Sequence, residues 1–133
     1  MNLSLVDLIR KEKLSYSTLD SLAKKLSKDT GDAEIDVKNN LVGLIKDGTL
    51  FLDDKNKVSI SADRGYLKGI LTVNKKGYGF ARVENYPDFF VPAFAINGAF
   101  DGDLCLVEIT NTKSEQDIEA RVVKVLERNT THV

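Results

Sequence analysis

Two neighbouring runs of the chain, Lys75–Arg82 and Asp88–Pro92, combine aromatic rings with positive charges in strand-like alternation. Successive side chains of a strand point to opposite faces, so Tyr78, Phe80 and Arg82 share one face and the small residues between them share the other. Bases of unpaired nucleic acid stack on such rings, and phosphates bind Lys and Arg. The pattern therefore predicts an exposed surface for single-stranded nucleic acid.

The competing interpretation is that these rings belong to a hydrophobic core, as aromatic residues in strands commonly do. The shared phase with Arg82 and the flanking lysines favours exposure instead. Phe90 alternates with Phe89 and Val91, which fall on the opposite, core-facing side, so Phe90 becomes a third stacking ring. The predicted binding residues are Lys68, Lys75, Lys76, Tyr78, Phe80, Arg82 and Phe90.

The sequence contains no constellation for catalysis. One histidine, His132, lies one residue from the end, and with one cysteine it cannot form a zinc site. The glycines at 77 and 79 lack the third glycine and the following helix of a phosphate-binding loop. Asp101 and Asp103 flank a glycine, which favours a turn over a magnesium site. We expect no catalytic residue, metal or cofactor in this chain.

Composition limits the function classes. The 133 residues are 42% hydrophobic and 29% charged with a net charge of −1, which suits one or two small globular domains. A nearly neutral chain is not a basic nucleic-acid coat, so phosphate contacts must come from a local patch. The sequence lacks an apolar run of about 18 residues and a signal-peptide pattern. The single cysteine, Cys105, lies in an apolar run and is expected to be a buried thiol, in keeping with a cytoplasmic location.

Three helical patterns precede two strand-like runs in the first half. The helices are predicted at residues 3–12, 18–28 and 36–46, and the strands at 49–52 and 58–60. Ser17 and Asp20 resemble a capping box for the second helix, and Gly48 ends the third. Three helices and a hairpin predict a winged helix-turn-helix domain at residues 1–63, with the third helix in the recognition position.

The first half of the chain has no net charge and therefore no strong electrostatic field that would attract a polyanion. Residues 1–64 carry 11 basic and 11 acidic side chains, which gives no net attraction for duplex DNA. The expected exposed residues of the third helix are Lys38, Asn39, Asn40 and Lys46. Two alternatives to RNA binding therefore stay open: a DNA-binding regulator that acts through the winged helix, and a protein-interaction module that binds no nucleic acid.

After a boundary at residues 61–65 the hydrophobic period changes to two. Five strands are predicted, at residues 67–73, 75–82, 88–92, 104–110 and 118–127, with one helical turn at 93–97. The inward side of the fifth is ambiguous, because Ala120, Val122 and Leu126 compete with Val123 and Val125. The sequence thus predicts an α+β protein: the winged helix, then a five-stranded oligonucleotide-binding (OB-fold) β-barrel at residues 64–133.

Two short motifs carry a family resemblance. Lys76–Ala81 and Phe89–Pro92 resemble the two ribonucleoprotein motifs of cold-shock domains. Pro92 stands where that family usually has histidine, Ala93 stands where it often has phenylalanine, and the first strand, around Leu71–Val73, lacks a tryptophan. The differences predict weaker single-strand binding than that of a free-standing cold-shock protein.

A wider likeness covers the whole chain. The order of a winged helix with Leu44–Leu50, a barrel with Gly102-Asp103 before its fourth strand, and the ending Val122–Arg128 resembles the amino-terminal region of bacterial ribonuclease R, an RNase II-family 3′-to-5′ exoribonuclease. In that family a second cold-shock domain, a magnesium-binding catalytic domain and a further RNA-binding barrel follow.

The resemblance implies a function for the segment. It would be the non-catalytic end of a processive nuclease, which binds single-stranded or structured RNA and guides it to a catalytic domain. Magnesium is expected only in that further domain. The implied partners are RNA and the carboxy-terminal domains of the same enzyme, with no membrane.

Overall fold

In the computed structural model, which describes residues 4–129, the chain divides into two units, Met1–Arg64 and Gly65–Val133. Leu3, predicted to begin the first helix, and His132 lie outside the described residues. No helix in the described range is long and apolar enough to cross a membrane.

The first unit contains three helices and a small sheet. Its elements are α1 (Leu5–Lys11), β1 (Ser17–Thr18), α2 (Leu19–Thr30), α3 (Glu34–Lys46), β2 (Leu50–Leu52), β3 (Lys57–Ile60) and a 3₁₀ turn at Ala62–Arg64. The sheet order is β1-β3-β2, and β2 and β3 form the predicted hairpin. Helices α2 and α3 and strand β2 share one core, to which each contributes a fully buried leucine: Leu26, Leu41 and Leu50. The helices and hairpin are present, while the winged-helix identity of the unit stays a prediction.

The start of α2 differs from the sequence prediction by one residue. Thr18, not Ser17, is the N-cap, and its hydroxyl accepts from the Ser21 N–H at 3.3 Å. Ser17 is held in β1 opposite Val58, and its hydroxyl donates to the Leu14 carbonyl at 2.6 Å. The predicted capping box at Ser17 is therefore wrong, because Ser17 belongs to β1 and pairs with β3.

One of the residues expected to be exposed on α3, Lys38, is paired within its own unit. The Lys38 Nζ lies 2.7 Å from the Asp20 carboxylate, and Lys38 is half-buried rather than exposed. The helix ends at Lys46, and Gly48, the predicted helix terminator, follows two residues later with a φ of +86°. Lys38 is thus part of a partly exposed ion pair and is not an isolated positive charge on α3.

The second unit is a closed barrel of five strands in the order β4-β5-β6-β8-β7. The strands are β4 (Tyr66–Val73), β5 (Gly79–Arg82), β6 (Phe89–Val91), β7 (Leu104–Ser114) and β8 (Asp117–Glu127), with a 3₁₀ turn at Ala93–Ala95. The β6–β8 pairing is parallel and the others are antiparallel. Together with the helical unit this confirms the predicted α+β class with an OB-type barrel.

A bulge resolves the ambiguity of the fifth strand. Val122 pairs with Val107, but Lys124 pairs with Leu106, so Val123 is an extra residue on β8. Ala120 and Val122 face the core before the bulge, and Val125 packs against it afterwards. Each of the two competing sets was therefore correct for one part of the strand.

The aspartates around Gly102 stabilise the turn before β7. The Asp101 carboxylate accepts from the Val73 N–H at 2.8 Å. Asp103 is fully buried, and its carboxylate accepts from the N–H groups of Phe100 and Asn129 at 2.8 and 2.7 Å. In the described range, no group of three or more His, Cys, Asp or Glu residues is placed to hold a metal ion.

The thiol of Cys105 is buried, as its sequence context predicts. Burial raises the pKa of Cys105 to about 11, and the negative charge of Asp103 adds to this. The thiol is therefore uncharged at neutral pH and packs as a small apolar group.

The buried carboxylate of Asp103 makes the barrel acid-sensitive. Burial by itself raises the pKa of Asp103, but the N–H groups of Asn129 and Phe100 and the charge of Arg128 outweigh it, so the pKa lies below its usual value. The stabilisation is thus present above the unfolded pKa of about 3.9 and is lost as the pH falls through the folded pKa. We expect Asp103→Asn to lower stability at neutral pH and to flatten the acid dependence of the urea midpoint. An unchanged pH profile would contradict this role.

Candidate nucleic-acid interface

Three aromatic side chains touch one another on the second and third strands of the barrel. We call Tyr78, Phe80 and Phe90 the ring cluster. Their ring centroids lie 6.1 Å apart for Tyr78–Phe80, 5.4 Å for Tyr78–Phe90 and 5.7 Å for Phe80–Phe90. Phe80 and Phe90 are direct cross-strand partners in the β5–β6 register. The cluster is therefore built by strand pairing, with Tyr78 added from the residue before β5.

The ring cluster lies on the outward face of the barrel. Phe80 is 40% exposed, whereas its neighbours Gly79 and Ala81 are buried. Phe90 is half-buried, and Phe89 beside it is fully buried in the core. The predicted inside–outside alternation is thus present, and the rings offer edges and faces to solvent.

Close contact between β4 and β5 explains why a glycine, Gly79, lies between Tyr78 and Phe80 in the chain. A Cβ atom on Gly79 would overlap the Thr72 carbonyl oxygen of β4. Thr72 is the register partner of Phe80, so the β4 backbone lies directly beside the part of β5 that carries Phe80. A side chain at position 79 would push the strands apart and displace the rings.

The second strand is shorter than predicted, because a turn occupies its first residues. The Asn74 N–H donates to the Tyr78 carbonyl at 2.9 Å, and the Gly77 N–H donates to the Asn74 carbonyl at 3.1 Å. Gly77 has a φ of +94° and belongs to this turn, so β5 begins at Gly79 and not at residue 75 as predicted. The turn instead presents exposed Lys75 and Lys76 immediately before the cluster.

The other two predicted cations lie on the outward faces of β4 and β5. Lys68 is exposed, and Arg82 alternates with the Phe80 ring on the same face of β5. The Arg82 Nε lies 3.8 Å from the Asp88 carboxylate, and both side chains are at least half exposed. Such a solvent-exposed ion pair is weak. All seven predicted binding residues are therefore on the barrel, and their role in binding stays a prediction.

Two apolar residues of this surface were missed as site candidates. Ile70 is 44% exposed on β4, opposite Arg82. Phe94 is 87% exposed in the 3₁₀ turn and lines a groove of about 310 Å³ with Pro92 and Glu119. The alternation of β4 could have identified Ile70. The groove depends on the parallel β6–β8 pairing, which local patterns do not reveal.

The comparisons with known proteins concern the barrel. Residues 69–125 match the family model of the Ribonuclease B OB domain. Among solved structures, the chain is similar to Mycoplasma genitalium RNase R in complex with ribose methylated single-stranded RNA and to the apo form of the same enzyme. Both are 31% identical over 47% of this chain, with TM-scores of 0.42 and 0.43. The chain covers only 10% of each of those enzymes. No curated protein matches it.

The family match begins in β4 and ends in β8, so it includes both strands that carry the ring cluster. It lies wholly within the second unit. The match of residues 69–125 to the Ribonuclease B OB domain agrees with the resemblance to ribonuclease R that the sequence motifs of the barrel carry.

Proposed function

We propose that the barrel binds single-stranded RNA by stacking bases on the ring cluster. The observation that carries the proposal is the mutual contact of Tyr78, Phe80 and Phe90 on the outward face, at centroid distances of 5.4–6.1 Å. Three adjoining rings form a platform for successive unpaired bases, whereas the bases of a duplex are already stacked on one another. The family match supports RNA as the ligand.

Four cations supply the phosphate contacts in this proposal. Lys75 and Lys76 lie on the turn that leads into the cluster, Arg82 lies on β5 with Phe80, and Lys68 lies on the neighbouring strand β4. Arg82 exchanges a weak contact with Asp88 for a phosphate. With about four phosphates neutralised, the logarithm of the association constant should fall with the logarithm of salt concentration at a slope near −3.

In a longer ribonuclease R-like enzyme, this surface would guide RNA into the catalytic channel. In this proposal the 3′-to-5′ hydrolysis and its magnesium ions belong to another domain of that enzyme. Such an enzyme would act in the cytoplasm. The first unit adds little charge to this task, because its basic and acidic residues balance.

Phe80→Ala tests the stacking proposal. Loss of one stacking ring should weaken the binding of a labelled oligouridine by about 1–3 kcal/mol, or roughly 5- to 150-fold in Kd. Fluorescence anisotropy measures the affinity, and circular dichroism verifies the fold. Phe100→Ala is the matched control, because Phe100 is also exposed but packs against Arg128, outside the ring cluster.

Equal affinity of the folded Phe80→Ala variant and the wild type would rule out stacking on this platform. Titrations with single-stranded RNA, duplex RNA and duplex DNA separate the remaining alternatives. Specific binding to duplex DNA would favour a regulator acting through the first unit. Absence of binding to all three nucleic acids would favour a protein-interaction module.

A further inference from the structure

A groove of about 310 Å³ lies beside the ring cluster on the outside of the barrel. Pro92, Phe94 and Ala95 line one side, and Glu119, Ala120 and Arg121 of β8 line the other. Its volume is near the lower limit of small-ligand clefts, which suits one base with part of its ribose. Phe94, which is 87% exposed, provides an aromatic surface at the groove.

The groove continues the outward face of the ring cluster. Phe90 is the register partner of Glu119 in the parallel β6–β8 pairing, and Glu119 lines the groove. Pro92 follows Phe90 by two residues in extended backbone, with a φ of −61° and a ψ of 156°, so it is on the same face. Phe90 and the groove therefore adjoin on one outward face, so a base next to one stacked on Phe90 can reach the groove.

The charges at the groove favour a base over a phosphate. Glu119 forms an ion pair with Lys113 at 3.2 Å, and Arg121 forms one with Glu108 at 2.8 Å. These four side chains sum to zero charge, so they do not attract a phosphate. The Glu119 side chain is only 26% exposed, and a carboxylate in this position would repel one.

The polar groups at the groove select for a base with two adjacent donors. An ionised carboxylate has two oxygens and about four acceptor positions, so Glu119 can accept two hydrogen bonds in addition to the Lys113 contact. Asn97 also lines the groove, and because its amide nitrogen donates to the Val122 carbonyl, the Asn97 oxygen is left to accept a hydrogen bond. Guanine presents an N1–H and an N2–H₂ side by side on its Watson–Crick edge. Uracil presents one N–H between two carbonyl oxygens, which Glu119 would repel.

We propose that this groove binds a guanine base of the RNA, with Phe94 against the base and the Glu119 carboxylate accepting from its N1–H and N2–H₂ groups. The proposal rests on the proposed single-strand RNA binding and adds one base-selective position to an otherwise sequence-tolerant surface. A good bidentate contact of this kind discriminates between bases by about tenfold or more.

The test compares oligouridine with the same oligomer carrying one guanosine at successive positions, and with inosine in its place. For the wild type, one register of guanosine should bind about tenfold tighter than oligouridine, and inosine should lose much of that gain. Glu119→Gln should bring the guanosine-to-uridine affinity ratio close to one. Glu115→Gln is the charge-matched control, because Glu115 is exposed at the β7–β8 connection and does not line the groove. Phe94→Ala should also lower the ratio.

The outcomes separate the two proposals. Binding of oligouridine without any guanosine preference would overturn the guanine site and leave single-strand binding intact. A preference that survives in both Glu119→Gln and Phe94→Ala would place the selective contact elsewhere and also overturn the site. If the wild type binds neither oligomer, the proposed RNA-binding function itself fails.

Discussion

Phe89→Ala is expected to destabilise the barrel by about 3–5 kcal/mol. Phe89 is fully buried in the barrel core, and its ring packs against that of Tyr86 at 5.5 Å. Removal of the ring leaves a cavity among close-packed side chains, whose rigid strands cannot collapse to fill it. A small domain is stable by only about 5–15 kcal/mol, so a large share of the stability of the barrel would be lost.

Phe90→Ala is the matched control for this prediction. Phe90 is the next residue in β6 but lies half-buried on the outward face, where it contacts Tyr78 and Phe80. Its loss should cost only about 1 kcal/mol of stability, the scale of aromatic pair contacts. Urea unfolding followed by circular dichroism measures both variants. Equal destabilisation by the two substitutions would contradict the inside–outside assignment of β6.

Gly79→Ala is expected to destabilise the barrel by about 3 kcal/mol, at the upper end of the usual range for overpacking. The added Cβ would overlap the Thr72 carbonyl oxygen, which is backbone and cannot rotate away. Relief requires β4 and β5 to separate at the pair of strands that carries Phe80. We therefore expect weaker RNA binding in addition to a lower unfolding midpoint.

Gly43→Ala is a control glycine substitution that is expected to raise stability, whereas Gly79→Ala should lower it. Gly43 lies within α3, and a Cβ there would meet nothing within 4 Å. Alanine in a helix interior is more favourable than glycine by roughly 0.5–1 kcal/mol, so this variant should stabilise the first unit. If Gly79→Ala were as stable as the wild type, the close approach of the two strands would not be a constraint on the barrel.

The sequence predicted the features of the interface that depend on alternation. Phe89 inside and Phe80 outside follow from the two-residue period of a strand, and the β5–β6 pairing then brings Phe80 to Phe90. Local pattern alone could not place the start of β5. A turn with Gly77 at positive φ replaces the first residues of the predicted strand.

Features that depend on contacts between residues far apart in the chain could not be predicted from local sequence patterns. The N-cap of α2 moved to Thr18 because Ser17 pairs with Val58, about forty residues away in the chain. Lys38 was expected to be exposed, but its Nζ forms an ion pair with Asp20 on another helix. The groove beside Phe94 requires the parallel contact between β6 and β8, which no short motif encodes.

The most direct test of base stacking on the ring cluster compares the wild-type chain binding to oligouridine and to an abasic oligomer of equal length and charge. The two ligands offer the same phosphates to Lys75, Lys76 and the other cations, but the abasic ligand has nothing to stack on Phe80. We predict at least tenfold weaker binding of the abasic oligomer at every salt concentration, with both ligands showing a salt slope near −3. Equal affinity for the two oligomers would show that phosphates alone are recognised, and would contradict the account.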